Sequence, residues 1–188
     1  VDDGAGGAFA TAGNAVWHLC GAELAERRLH ASLPGEAGAL ARAGDVLYVG
    51  VAGCGVLRLD AGGAEVGRLG VVDGRPLGGV TALAVLPDGQ LAITEGSAHH
   101  PPARWCHDLM ERRAAGRLVL AAPDLSRART LLGDLAWPAG VLPRPDGTLW
   151  ITESWRHALH AVTPGGRKTT LLDNLPAYPG RQVVEQRG

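Results

Sequence analysis

Two segments of this chain are near copies of one another, and an internal repeat constrains a fold more than any single motif does. LPDGQLAITEG (86–96) aligns with RPDGTLWITES (144–154), so that Asp88-Gly89 falls on Asp146-Gly147 and Ile93-Thr94-Glu95 on Ile151-Thr152-Glu153. AGDVLYVGVAG (43–53) is a weaker copy, and DGAGGAFATAG (3–13) a fourth. Each copy is followed by a second short apolar segment (15–19, 55–60, 116–124, 157–166) and then a third (27–35, 65–70, 128–138, 168–176). The period is about forty residues, the length of one four-stranded propeller blade.

The chemistry of one unit agrees with that period. Asp-Gly and Gly-Gly pairs close tight hairpins because glycine accepts a positive φ without steric penalty. The runs between them are short and rich in Val, Leu, Ile, Thr and Trp, which suits strands. Several alternate polar and apolar residues, as Arg58 does between Leu57 and Leu59. The expectation is an all-β fold, a β-propeller of about four blades, each a four-stranded antiparallel meander. The units span approximately 1–34, 35–78, 79–136 and 137–176, and 177–188 begins a further unit or forms a tail. The first unit starts partway through a blade. Residues 105–115 break the β pattern with helix formers and predict a short helical insertion between the second and third strands of the third unit.

Composition narrows the function classes. A formal net charge of −1 argues against the dense basic face that nucleic-acid binding needs. No apolar run approaches the roughly 20 residues of a membrane helix. The chain begins with Val1 rather than Met, so its ends are expected to reflect processing or a choice of boundaries. The three cysteines, Cys20, Cys54 and Cys106, match no zinc spacing and are expected as small buried hydrophobes. One disulfide between two of them stays open, and the sequence assigns no compartment.

Glu95 and Glu153 occupy equivalent repeat positions. They could face the channel as an acid–base pair with split pKa values, or serve as repeated turn residues that bind backbone amides; the repeat favours the second role. His99, His100, Cys106 and His107 cluster in the insertion, but their spacing fits no metal pattern, and a recognition loop is the better expectation. His18, His157 and His160 fall on predicted strands, the last two three apart and so on opposite faces. Trp137, Trp150 and Trp155 suit blade packing, whereas Trp105 in the insertion is the better ligand contact. No Ser-His-Asp arrangement, phosphate loop or nucleotide fingerprint is present.

The Pro-Asp-Gly turns, ITEGS, DLMERRAAGRL, LLGDLAWPAGV (131–141) and LLDNLPAYPG (171–180) together resemble the strictosidine synthase, gluconolactonase and paraoxonase superfamily, which includes senescence marker protein. The likeness runs from Gly78 to Pro179 and is weak before about residue 40. It implies a six-bladed ring, of which four units are a part, with the remaining blades supplied by a longer parent chain or another chain. It also implies a calcium ion at the channel mouth, held by acidic and Asn side chains, that polarises a lactone or ester carbonyl. The matched ligand positions depart from that pattern. Thr81-Ala82 replaces Asn-Asp, Ala139 replaces the Asn of Pro-Asn-Gly, and Gly180-Arg181 replaces Asp-Asn. No metal site or cofactor is therefore predicted, and the channel candidates are Thr81, Glu95, Trp105, Glu153 and Arg181. Three readings follow: a lactone- or ester-hydrolase-like enzyme, or a strictosidine synthase-like lyase, with a degenerate calcium site; a non-catalytic propeller that binds a small molecule in its channel or a protein partner; or an enzyme whose active residues lie in blades outside this segment.

Overall fold

The Pro-Asp-Gly turns show how the sequence sets the architecture. In the computed structural model, which describes residues 1–183, Leu86 accepts a bond from the Gly89 amide at 2.9 Å. The Asp88 carboxylate accepts the Gln90 amide at 3.0 Å, and Gly89 sits at φ +84°, where a Cβ would be strained. Arg144 to Thr148 repeats this geometry, with Gly147 at φ +80° and Asp146 accepting the Thr148 amide. Each turn returns the chain antiparallel, and repetition yields sheets rather than one continuous ribbon.

The first sheet contains β1 (Ala8–Ala12), β2 (Ala15–Cys20) and β3 (Glu26–Ser32). The second contains β4 (Ala37–Ala43), β5 (Val46–Val51), β6 (Gly55–Leu59) and β7 (Glu65–Leu69). A small hairpin of β8 (Val71–Val72) and β9 (Arg75–Pro76) leads to the third, formed by β10 (Val80–Val85), β11 (Leu91–Glu95), β12 (Gly116–Ala121) and β13 (Ala128–Leu135). Helix α1 (Trp105–Glu111) lies in the connection between β11 and β12. The fourth sheet contains β14 (Pro138–Pro143), β15 (Leu149–Glu153), β16 (Ala158–Val162) and β17 (Lys168–Leu172). All pairings are antiparallel between sequence neighbours, and the sheets are blades of a β-propeller.

The first unit, expected to start partway through a blade, has three strands where the other three large sheets have four. Asp3 accepts the Ala5 amide at 2.8 Å, as Asp88 does that of Gln90, so β1 is the counterpart of β5 and β11. Only Val1 and Asp2 stand where an innermost strand would run, with Val1 exchanging two 2.7 Å bonds with Phe9. His157 is not on a strand; it ends a 3-10 turn (Ser154–Arg156) at φ +51°, so the opposite-face relation to His160 does not apply.

Three hydrophobic clusters join the sheets in chain order. Val16 and Ala31 meet Leu47, Val49 and Val51; Tyr48 and Val56 meet Ile93 and Val119; Ala92 and Leu118 meet Val141 and Ile151. A middle sheet therefore packs on both faces, and all six residues of β12 are buried. In β16 burial alternates residue by residue, because among the described residues no further sheet packs on the face carrying Leu142, Trp150 and Ala161, which are cross-strand neighbours. Arg144 covers part of this face, its guanidinium 4.4 Å from the Trp150 ring.

Candidate functional site at the channel face

Antiparallel meanders place alternate connections at opposite ends. The Pro-Asp-Gly turns lie at one end; the β11–β12 insertion, the β13–β14 link at Ala136-Trp137, the 3-10 turn after β15 and the segment after β17 lie at the other. The innermost strands run side by side, β10 between β4 and β14. Thr81 and Ala139, near the starts of β10 and β14, thus share this end with Glu95, Trp105 and Glu153.

Glu95 and Glu153 are buried in equivalent ways. Glu95 accepts the Gly78 amide at 2.9 Å, and Glu153 the Ala136 amide at 2.8 Å, each from a residue seventeen positions earlier. Their remaining partners differ because their cross-strand neighbours differ. Glu95 stands opposite Arg117, which is itself buried, donates to it at 2.7 Å and also donates to the carbonyls of Val72 and Pro76. Glu153 stands opposite Ala158 and instead meets Lys168 at 2.5 Å and Arg156 at 2.7 Å, with His160 Nε2 at 3.2 Å. Both carboxylates tie the end of one sheet to the link entering it.

Thr81, Arg181 and the other two matched positions give a different picture from a metal cradle. The Thr81 hydroxyl is within reach of Thr94 Oγ1 at 2.9 Å and of the carbonyls of Thr94 and Pro138. Ala139 and Gly180 carry no side-chain oxygen. Arg181 donates to the Gly38 carbonyl, and the segment is fixed to the fourth sheet by Thr152 and Ser154, whose hydroxyls donate to the Gly180 and Pro179 carbonyls at 2.8 Å. Arg181 and Gln182 border a 90 Å³ cavity with Ala39, Ala82 and Val141 of the innermost strands. One committed hydroxyl and a guanidinium do not fit calcium, which takes six to eight oxygens. Among the described residues no group of three or more His, Cys, Asp or Glu side chains is placed to hold a metal ion.

Trp105 meets the tryptophans of the fourth sheet. Its ring centroid is 5.9 Å from that of Trp155, which stacks on Trp137 at 5.2 Å and meets Tyr178 edge-on at 5.3 Å. The Trp155 Nε1–H donates to Asp108 Oδ1 at 2.9 Å, which fixes α1 over the fourth sheet. Nothing in the sequence marks Asp108; Trp155, two residues after the repeated Ile-Thr-Glu, is the one signal that could have led to this contact. In the insertion, Ser97 Oγ accepts the His99 and His100 amides, His100 approaches Glu111 at 3.1 Å, and Cys106 is exposed. Cys20 and Cys54 are half-buried, and all three cysteines are free. No described helix is long and apolar enough to cross a membrane.

These surroundings make stability pH-dependent. Burial pushes His30 and His160 below the usual imidazole range. For Glu153, burial acts upward, but the Lys168 hydrogen bond, the Ala136 amide and the charges of Lys168 and Arg156 outweigh it and hold the carboxyl low. The His18 hydrogen bond and the Ala5 amide hold Asp3 at about 2. Each group binds protons more readily when unfolded, so each contribution is complete above its ordinary pKa and shrinks as pH falls toward its folded value. Urea midpoints should therefore drop between roughly pH 8 and 5.5 through the histidines, and again toward roughly pH 3 through the carboxylates. A midpoint that is flat over the first interval would contradict the assignment of His30 and His160.

No family model matches the chain, and no curated protein does. Solved structures match its fold. Regucalcin from Agrobacterium tumefaciens, described as a calcium-binding protein, aligns over 93% of this chain and 58% of its own, at 18% identity and a TM-score of 0.67. A chain of a nidogen/laminin complex aligns over 92% of this chain and 63% of its own, at 17% identity and a TM-score of 0.65. The extracellular domain of a hybrid two-component system from B. thetaiotaomicron aligns over 87% and 20%, at 11% identity and a TM-score of 0.58. At such identities the likeness establishes the β-propeller fold alone. The present chain spans about six-tenths of the length of the first two.

Proposed function

We propose that this chain is a binding segment of a β-propeller, which takes a small ligand at its channel face without calcium-dependent hydrolysis. One observation carries the reading: both carboxylates that the repeat delivers to this face are occupied by a backbone amide and by cations. A general acid or base needs a free proton position within reach of substrate, and neither Glu95 nor Glu153 offers one. The donor set at Thr81, Ala139, Gly180 and Arg181 supports the same reading. The open face of the fourth sheet supports completion of the blade row by further blades, from a longer parent chain or from another chain.

The alternative is the lactone- or ester-hydrolase-like enzyme that the family resemblance implies. Calorimetric titration with calcium separates the two, together with lactone and ester hydrolysis with and without calcium. We expect no calcium binding below about 1 mM, a free energy weaker than roughly −4 kcal/mol, and no calcium-dependent turnover. Tight calcium binding accompanied by hydrolysis would overturn the proposal.

A further inference from the structure

We propose that the aromatic face around Trp105, Trp155 and Tyr178 binds a small organic cation of the alkylated ammonium class. The inference rests on the reading of the channel face as a binding surface and names the chemistry it would take. It starts from Asp108, whose side chain is fully buried. Glu95 and Glu153 are equally buried and each is matched by cations. Asp108 has no such partner among the described residues: Oδ1 accepts the Trp155 indole N–H, and Oδ2 is buried without any hydrogen bond. Native structures rarely leave a buried polar atom unsatisfied without a reason.

The rings beside this carboxylate add negative potential of their own, because the face of an aromatic ring attracts cations. Trp105 is 48% exposed and Tyr178 55% exposed, so two of the rings reach solvent. Of the arginines near these residues in sequence, Arg156 is engaged with Glu153 and the Asp134 carbonyl and Arg113 with Glu111, while Arg104 and Arg112, at the two ends of α1, are exposed, and among the described residues none of the four pairs with Asp108. Asp108 lies beneath the surface and cannot accept an N–H bond from a ligand resting on the rings. Recognition would therefore come from ring faces and the buried charge rather than from donor–acceptor pairing. That favours an alkylated ammonium, with its charge spread over methyl and methylene groups, above a primary amine.

Choline and its uncharged isostere 3,3-dimethyl-1-butanol test this directly, by calorimetry and tryptophan fluorescence on the whole chain. Choline should bind saturably below about 10 mM, and the isostere should not. Asp108→Asn removes the charge and keeps an acceptor for Trp155; Trp105→Ala removes one exposed ring without touching a core. Each should weaken choline at least tenfold, with circular dichroism confirming the fold. No saturation, equal binding of the isostere, or wild-type affinity in folded Asp108→Asn would overturn the proposal. Such a failure leaves the calcium and hydrolysis results unaffected, so the two readings fail separately.

Discussion

Arg117→Ala is expected to destabilise the protein by about 3–5 kcal/mol, the range seen when one partner of a buried ion pair is removed. The reason lies in what stays behind. Glu95 would keep the Gly78 amide but lose its one cation among the described residues, and its side chain is buried. The carbonyls of Val72 and Pro76 would lose their donor as well, releasing the β8–β9 hairpin that Arg117 fastens to the third sheet. Urea denaturation measures the effect directly. Removing both charges should cost less than removing one, because a buried pair replaced by apolar groups is often close to neutral. The second sheet carries such a replacement, since Val51 and Gly55 are cross-strand partners at its corresponding position. Glu95→Val combined with Arg117→Met should therefore recover part of the loss. A single variant within about 0.5 kcal/mol of the parent, the range of ordinary surface substitutions, would show that the pair does not brace the sheet.

Gly55→Ala should cost about 3 kcal/mol, combining left-handed strain of roughly 1–2 kcal/mol with overpacking of roughly 1–3 kcal/mol. Gly55 opens β6 at φ +89°, and a Cβ there would stand 2.1 Å from the Leu69 carbonyl oxygen and 3.0 Å from that of Leu77. Both are backbone atoms, the first at the end of β7 and the second just after β9, so neither can swing aside as a side chain would. Gly53, two residues earlier, provides the control: its φ is +73°, but nothing lies within 4 Å of its would-be Cβ. Gly53→Ala should show the strain alone, about 1–2 kcal/mol. Equal losses in the two variants would indicate that the link shifts to make room.

The features readable from sequence were the local ones. Asp88-Gly89 and Asp146-Gly147 announce their turns because the side-chain acceptor and the positive φ are properties of those residues. The short helix in the third unit was legible for the same reason. The cations that hold Glu95 and Glu153 were not, although the two glutamates are equivalent. One recruits its cross-strand neighbour; the other, facing Ala158, recruits Lys168 from the next strand and Arg156 from a turn. Arg58 between Leu57 and Leu59 suggests a wet face and a dry one, yet a sheet between two others has no wet face. The Asp108–Trp155 contact joins residues 47 positions apart across two blades, and no local pattern encodes it.

The alternating burial of β16 beside the complete burial of β12 also bears on how the repeat can drift. Leu118 and Leu159 occupy the same place in their units, yet the first is sealed between two sheets and the second is only half covered. A polar residue at Leu159 meets solvent on its free side, whereas at Leu118 it meets only hydrocarbon. Units that look interchangeable on paper thus differ in mutational tolerance according to their place in the row. A further blade against the fourth sheet would close Leu159 in as Leu118 is closed in, so the tolerance of that position to polar residues reports whether the row continues.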